Sequence, residues 1–217
     1  EGKYFTVNRA RQYGKTTILS KLKESLDDSC VVFSISFEGI GARAYQNEEN
    51  FCRLFCGLLY DAIYYNEVTG VSEEVKAICK QMIEDRERFI DFREISNFIT
   101  KMCQETEKPI ILIIDEVDQA SEQKIFLDFL GMLRAKYLKR NSRPTFNSVI
   151  LASVYDIKNL KQKIRAEEKH QYNSPWNIAA DFNIDMNFSA KDIGGMLSEY
   201  ERDYQWGIDV MGAARLM

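Results

Sequence analysis

Apolar residues in this chain recur with two different periods. Short β-type runs stand at Tyr4-Phe5-Thr6-Val7, at the alternating Cys30–Phe37, at Ile110–Ile114 and at Ser148–Val154. Stretches with helical spacing lie around them: Lys15–Leu26, a long one from Asn50 toward Tyr65, Glu73–Ile83 and Phe92–Cys103. A further helix opens at Ser121-Glu122-Gln123 and carries Ile125, Phe126, Phe129, Leu130 and Leu133 on one face. The unbroken, mostly β-branched run Ile110–Ile114 reads as a strand covered on both faces, the mark of a parallel sheet. Strands alternating with helices in this order predict an α/β fold: a doubly wound, mostly parallel sheet flanked by helices.

Beyond Lys158 the composition turns polar, until Asn183–Phe188 alternates like a last edge strand. Ser189-Ala190-Lys191-Asp192 resembles a capping box with Asp in the Glu position, and predicts a helix reaching about Tyr204. Val210–Leu216 again reads as helix. The expected domains are therefore 1–188, an α/β domain, and 189–217, the start of a C-terminal helical lobe. The chain opens without Met and stops within that last helix, so a fragment is expected whose C-terminal effector lies outside it.

The chemistry sits at the strand ends. The first strand runs into Asn8-Arg9-Ala10-Arg11-Gln12-Tyr13-Gly14-Lys15-Thr16-Thr17 and then into a helix. A loop closing in Gly-Lys-Thr-Thr at a helix start is a phosphate cradle: backbone N–H groups and the positive helix end face an anion together. Lys15 adds a cation for the outer phosphates, and the Thr16 hydroxyl is a Mg²⁺ ligand. The pattern G-x-x-x-x-G-K-[ST] has Arg9 here in its first glycine position. Gly14 alone is free to take positive φ without steric cost. The bland alternative is a strand-to-helix turn whose Thr residues cap the helix.

The buried run Ile110–Ile114 ends in Asp115-Glu116-Val117-Asp118. In an open α/β sheet this places carboxylates at the edge where ligands bind. Asp115 is expected in the Mg²⁺ shell, and Glu116 as the residue that orients or deprotonates water. Acids here could instead simply cap the next helix. The two motifs, in this order and on these elements, point to a nucleoside triphosphate. The absence of N-K-x-D favours ATP over GTP. Ser153, ending the next strand, is placed to sense the γ-phosphate or merely to pack a tight strand end. Arg9 and Arg11 either contact the nucleotide or face solvent.

These residues resemble a known family. Asn8–Thr16 is similar to the R-P-R-R-F-G-K-[ST] loop of the predicted AAA-ATPase-like family, bacterial proteins often carrying a C-terminal PD-(D/E)XK nuclease-like region. The similarity extends through Asp115–Asp118, Tyr155–Leu160 and Ser174–Ala179, with Ala10 where the family often has Pro and Tyr13 where it often has Phe. The resemblance implies a P-loop NTPase related to AAA+ and STAND ATPases. Gly14 to Thr17 would form its Walker A element and Asp115 and Glu116 its Walker B. ATP and Mg²⁺ would be its cofactors. It also raises self-association, and nucleic acid as a partner of the nuclease-like region.

Composition adds limits. With 45% hydrophobic and 29% charged residues over 217 positions, the chain has the make-up of a globular protein. A net charge of −4 gives no overall attraction to nucleic acid. The basic cluster Arg134, Lys136, Lys139, Arg140 and Arg143 is either a complement to a helix's negative end or a nucleic-acid patch. Arg143 and Arg165 are the candidates for an arginine finger. Five cysteines, an odd number with no C-x-x-C and a single histidine, His170, predict reduced structural thiols and a cytoplasmic location rather than zinc or disulfides. No apolar run is long enough to span a membrane. Trp176 reads as a buried loop anchor, a lid over the base or a docking knob.

Overall fold

In the computed structural model, residues 2–10, 13–65, 68–154, 176, 178–181 and 188–216 are described. By Cα packing the chain forms two compact units, Glu1–Phe182 and Asn183–Met217.

The first unit is built on β1 (Phe5–Asn8), β2 (Val31–Ser36), β3 (Ile110–Asp115), β4 (Ser148–Ser153) and the two-residue β5 (Ala180–Asp181). Every pairing is parallel, and the order across the sheet is β2-β3-β4-β1-β5. All six residues of β3 and of β4 are buried, as expected of central strands with helices on both faces. The alternating pleat sorts their side chains. Phe33, Leu112, Ile114, Val149 and Leu151 join the main core. That core is completed by α2 (Glu48–Tyr64), α4 (Phe92–Glu105) and α6 (Lys124–Leu138), with α3 (Glu73–Glu84) packed on α2. Phe51, Phe126 and Phe129 form an aromatic knot with Phe37, the residue after β2; Phe51 and Phe129 lie 5.2 Å apart and Phe37 and Phe126 5.6 Å. Each such pair adds about 0.5–1.5 kcal/mol beyond area burial. The opposite pleat, with Phe5, Ile111 and Ile150, faces Leu22 and Leu26 of α1 (Lys15–Leu26). The sheet is therefore covered from both sides.

The helices begin where their caps allow. Asn47, Ser72 and Asp91 each accept a backbone N–H of the first turn of α2, α3 and α4. The short α5 (Asp118–Ser121) links β3 to α6. Trp176 is fully buried and stacks on Tyr4 at 5.6 Å, so it is an anchor and not a lid.

The second unit contains α7 (Ala190–Tyr204) and α8 (Val210–Leu216). Ser189 and Asp192 form the reciprocal capping box expected from the sequence. Glu201 accepts the N–H groups of Gly207 and Ile208, fixing the turn between the helices. Of the expected edge strand Asn183–Phe188, positions 183–187 lie outside the described residues; the fifth strand of the sheet among the described residues is Ala180–Asp181, beside Phe5 and Thr6.

Candidate functional site

Parallel strands end at one edge of a sheet, so the segments following β1, β3 and β4 gather there. The loop after β1 closes at Gly14, whose φ of 69° and ψ of 18° are left-handed. A Cβ at Gly14 would meet nothing within 4 Å. The requirement for glycine is therefore conformational and not spatial. Helix α1 starts at the next residue with no side-chain cap and no acidic residue in its first turn. Its leading N–H groups are thus left to the loop or to a ligand.

Lys15 is 6% exposed, and its Nζ donates to the carbonyls of Arg9 at 3.1 Å and Ala10 at 3.2 Å. The loop thereby curls around its own lysine. The Thr16 hydroxyl donates to Asp115 Oδ2 at 2.8 Å, joining the start of α1 to the end of β3. The other oxygen, Oδ1, accepts the N–H of Glu116 at 2.8 Å. Glu116 is half-buried with φ of 53°, one of two non-glycine residues with positive φ among those described. That conformation costs about 1–2 kcal/mol for an L-residue. Asp118 braces the same turn, accepting the Val154 N–H with both carboxylate oxygens, at 2.8 and 3.0 Å.

Between these two strands runs β4. Ser153, fully buried, donates its hydroxyl to Asn8 Oδ1 at 2.9 Å, and Asn8 and Ser153 are register partners. The Arg9 N–H donates to the Ser153 carbonyl at 3.2 Å, and the Arg9 guanidinium turns back to the Asn8 carbonyl at 2.8 Å.

The structure thus brings together Arg9, Gly14, Lys15, Thr16, Asp115, Glu116 and Ser153. Thr17 is exposed on α1. Arg11 and Arg165 lie outside the described residues. Arg143 precedes β4 and so stands at the opposite edge, away from its own loop. A cavity of about 580 Å³ beside Thr106, Arg140 and Asn147 opens at that far edge too, and has no bearing on the loop. Sequence reasoning missed Asn8 and Asp118 as partners in the site. The available signal was a polar residue closing β1 and a third acid after β3. The donor set holds hard oxygens only, which suits magnesium and not a thiolate- or imidazole-loving metal. No cluster of three or more His, Cys, Asp or Glu is poised for a metal among the described residues.

A family model described as an AAA-like domain matches residues 1–207. The chain belongs to the AAA-like domain family. The resemblance drawn from the Gly-Lys-Thr loop and the Asp-Glu run is borne out, and with it the α/β P-loop architecture. As an AAA-like domain, the chain is a nucleotide-binding, ATPase-like module. No curated protein matches it. Among the described residues no helix is long and apolar enough to cross a membrane.

Proposed function

We propose that the chain binds ATP with magnesium on the β1–α1 loop and hydrolyses it, serving as a switch or motor for an effector beyond this module. The observation that carries the reading is the Thr16–Asp115 hydrogen bond, which sets the only hydroxyl and carboxylate the motif requires within 2.8 Å of each other. Magnesium keeps several waters and needs few protein oxygens, so this pair is sufficient to hold it. When bound, the ion neutralises charge on the phosphates. Lys15 would leave two neutral carbonyls for phosphate oxygens, exchanging ordinary hydrogen bonds for charge-assisted ones. The open amides of α1 and the Gly14 turn would face the inner phosphates. Glu116 would position and deprotonate water. Ser153, hydrogen-bonded to Asn8, would change partner when the γ-phosphate departs.

Titration of Mg·ATP into the chain and into Lys15→Ala by calorimetry tests this. Affinity should fall by at least roughly tenfold in the variant; equal affinity rejects the loop as the site.

A second reading is a scaffold that holds nucleotide without turnover, bound to protein or DNA. Arg9 in the first glycine position favours it, because its N–H is engaged by Ser153 and not free for a phosphate. Phosphate release that is zero in the chain and unaltered by Glu116→Gln would select this reading.

A further inference from the structure

We propose that the groove between α4 and α6 binds a small phosphorylated ligand, its phosphoryl group held by Lys139 and Arg143 above the buried ammonium of Lys136. The groove encloses about 350 Å³. Its walls come from one face of α4, Ser96 to Gln104, and from the end of α6 with the turn that follows. Those segments lead into the beginnings of β3 and β4, so the groove lies at the opposite edge of the sheet from the Gly14–Lys15 loop. It is a separate site, and the inference does not depend on nucleotide binding there.

Charge is the first argument. Lys136, Lys139 and Arg143 all line the groove, and among the described residues no Asp or Glu does. None of the ion pairs described in the chain involves these three cations. Lys136 is 8% exposed, and its Nζ is held by neutral groups of α4: the Ser96 carbonyl at 2.8 Å, the Thr100 hydroxyl at 2.6 Å and, more weakly, the Ser96 hydroxyl at 3.4 Å. A lysine this deeply buried ordinarily has a carboxylate partner. Burial pulls its pKa down to about 8; nearby Cys103 opposes this in part, and Arg143 adds a smaller lowering. An anion seated in the groove supplies the missing opposite charge.

The plain alternative is that these cations complement the negative end of α6. That end carries about half an elementary charge, against three whole positive ones. Lys136, moreover, points across to a carbonyl of α4 and not to the last carbonyls of its own helix. Asn97 also lines the groove and brings a neutral amide donor to its wall. A guanidinium fork beside an ammonium suits a phosphoryl dianion better than a single carboxylate. The concave volume falls at the small end of ligand pockets, about 300–1,000 Å³. A nucleic acid would call for an extended basic stripe, and this chain's net charge is −4.

The test is an amide-resolved NMR titration with inorganic phosphate, at constant ionic strength, on the chain and on Lys15→Ala. Saturable shifts are expected at Asn97, Lys136, Ser142 and Arg143, with the same dissociation constant in both proteins. The surface double variant Lys139→Ala/Arg143→Ala should weaken that constant at least roughly tenfold with unchanged thermal unfolding. Lys136→Met, a second variant, should weaken it without removing either surface cation. Several results overturn the proposal: no saturable shift up to about 10 mM phosphate, identical shifts with chloride, or shifts that vanish in Lys15→Ala. Binding of a single-stranded oligonucleotide through Lys139 and Arg143, with phosphate alone inert, would assign the groove to nucleic acid instead.

Discussion

Thr16 gives its hydroxyl proton to Asp115 although 99 positions separate them in the chain. The bond ties the first turn of α1 to the tip of a strand that is not the neighbour of β1. Asp115 is 8% exposed, so its carboxylate relies on such donors in place of water. In Thr16→Val one of them is lost, and stability should fall by about 1–2 kcal/mol. The functional expectation is more specific. The gain in ATP affinity that magnesium confers on the chain should disappear in Thr16→Val. Calorimetry with and without magnesium would show this, and an undiminished gain would remove Thr16 from the metal shell.

Glu116 separates chemistry from stability. Glu116→Gln keeps the side chain's shape and should leave ATP affinity intact while slowing phosphate release about 10²-fold or more. Glu116→Gly should also stop turnover, yet it relaxes the left-handed φ of 53°. Denaturant unfolding should then show a gain of up to about 1 kcal/mol. A glycine variant less stable than the glutamine one would mean that the side chain, not the backbone, governs this turn.

Asp118 holds the end of β4 to the turn after β3 through two contacts with the Val154 N–H. Asp118→Ala leaves that donor without its acceptor, at a cost of about 1–3 kcal/mol. Urea midpoints report the loss directly. Because Val154 follows Ser153, turnover should fall as well, even under conditions where the variant is fully folded.

Lys136 sets a pH dependence. Its pKa is about 8 in the folded chain against 10.5 ordinarily, so between these values the unfolded chain carries more protons. Stability contributed by this group therefore rises with pH across that window. Cys103 works the other way, since burial pushes its thiol from 9 up to about 12 and its contribution is lost above pH 9. Measured between pH 8 and 9, the chain should gain stability relative to Lys136→Met, by up to about 1 kcal/mol. A flat difference would show that Lys136 is not desolvated.

Much of this was legible in the residues. Ile110–Ile114 could hardly be anything but a covered strand, and Gly14-Lys15-Thr16 between β1 and α1 marks a loop of defined shape. Local spacing located the helices to within a few positions, because their caps, Asn47, Ser72, Asp91 and Ser189, are encoded beside them. Strand order was not legible. Nothing in Ser148–Ser153 announces that it inserts between β1 and β3, because pairing is decided by distant packing and not by neighbours in the chain. For the same reason the Asn8–Ser153 contact was invisible, and a two-residue strand such as Ala180–Asp181 is too short to leave a period.

Neighbouring strands in a sheet stand about 4.8 Å apart, so β1 and β3, with β4 between them, are separated by about 10 Å at their tips. No short side chain on β1 can cross such a gap. The start of α1 instead sets Thr16 against the far acid. The reach from β1 to Thr16 is dictated by the thickness of one intervening β-ribbon. A variant that tilts or shifts β4 would mis-set the distance between cation and acid even with every reactive group left in place.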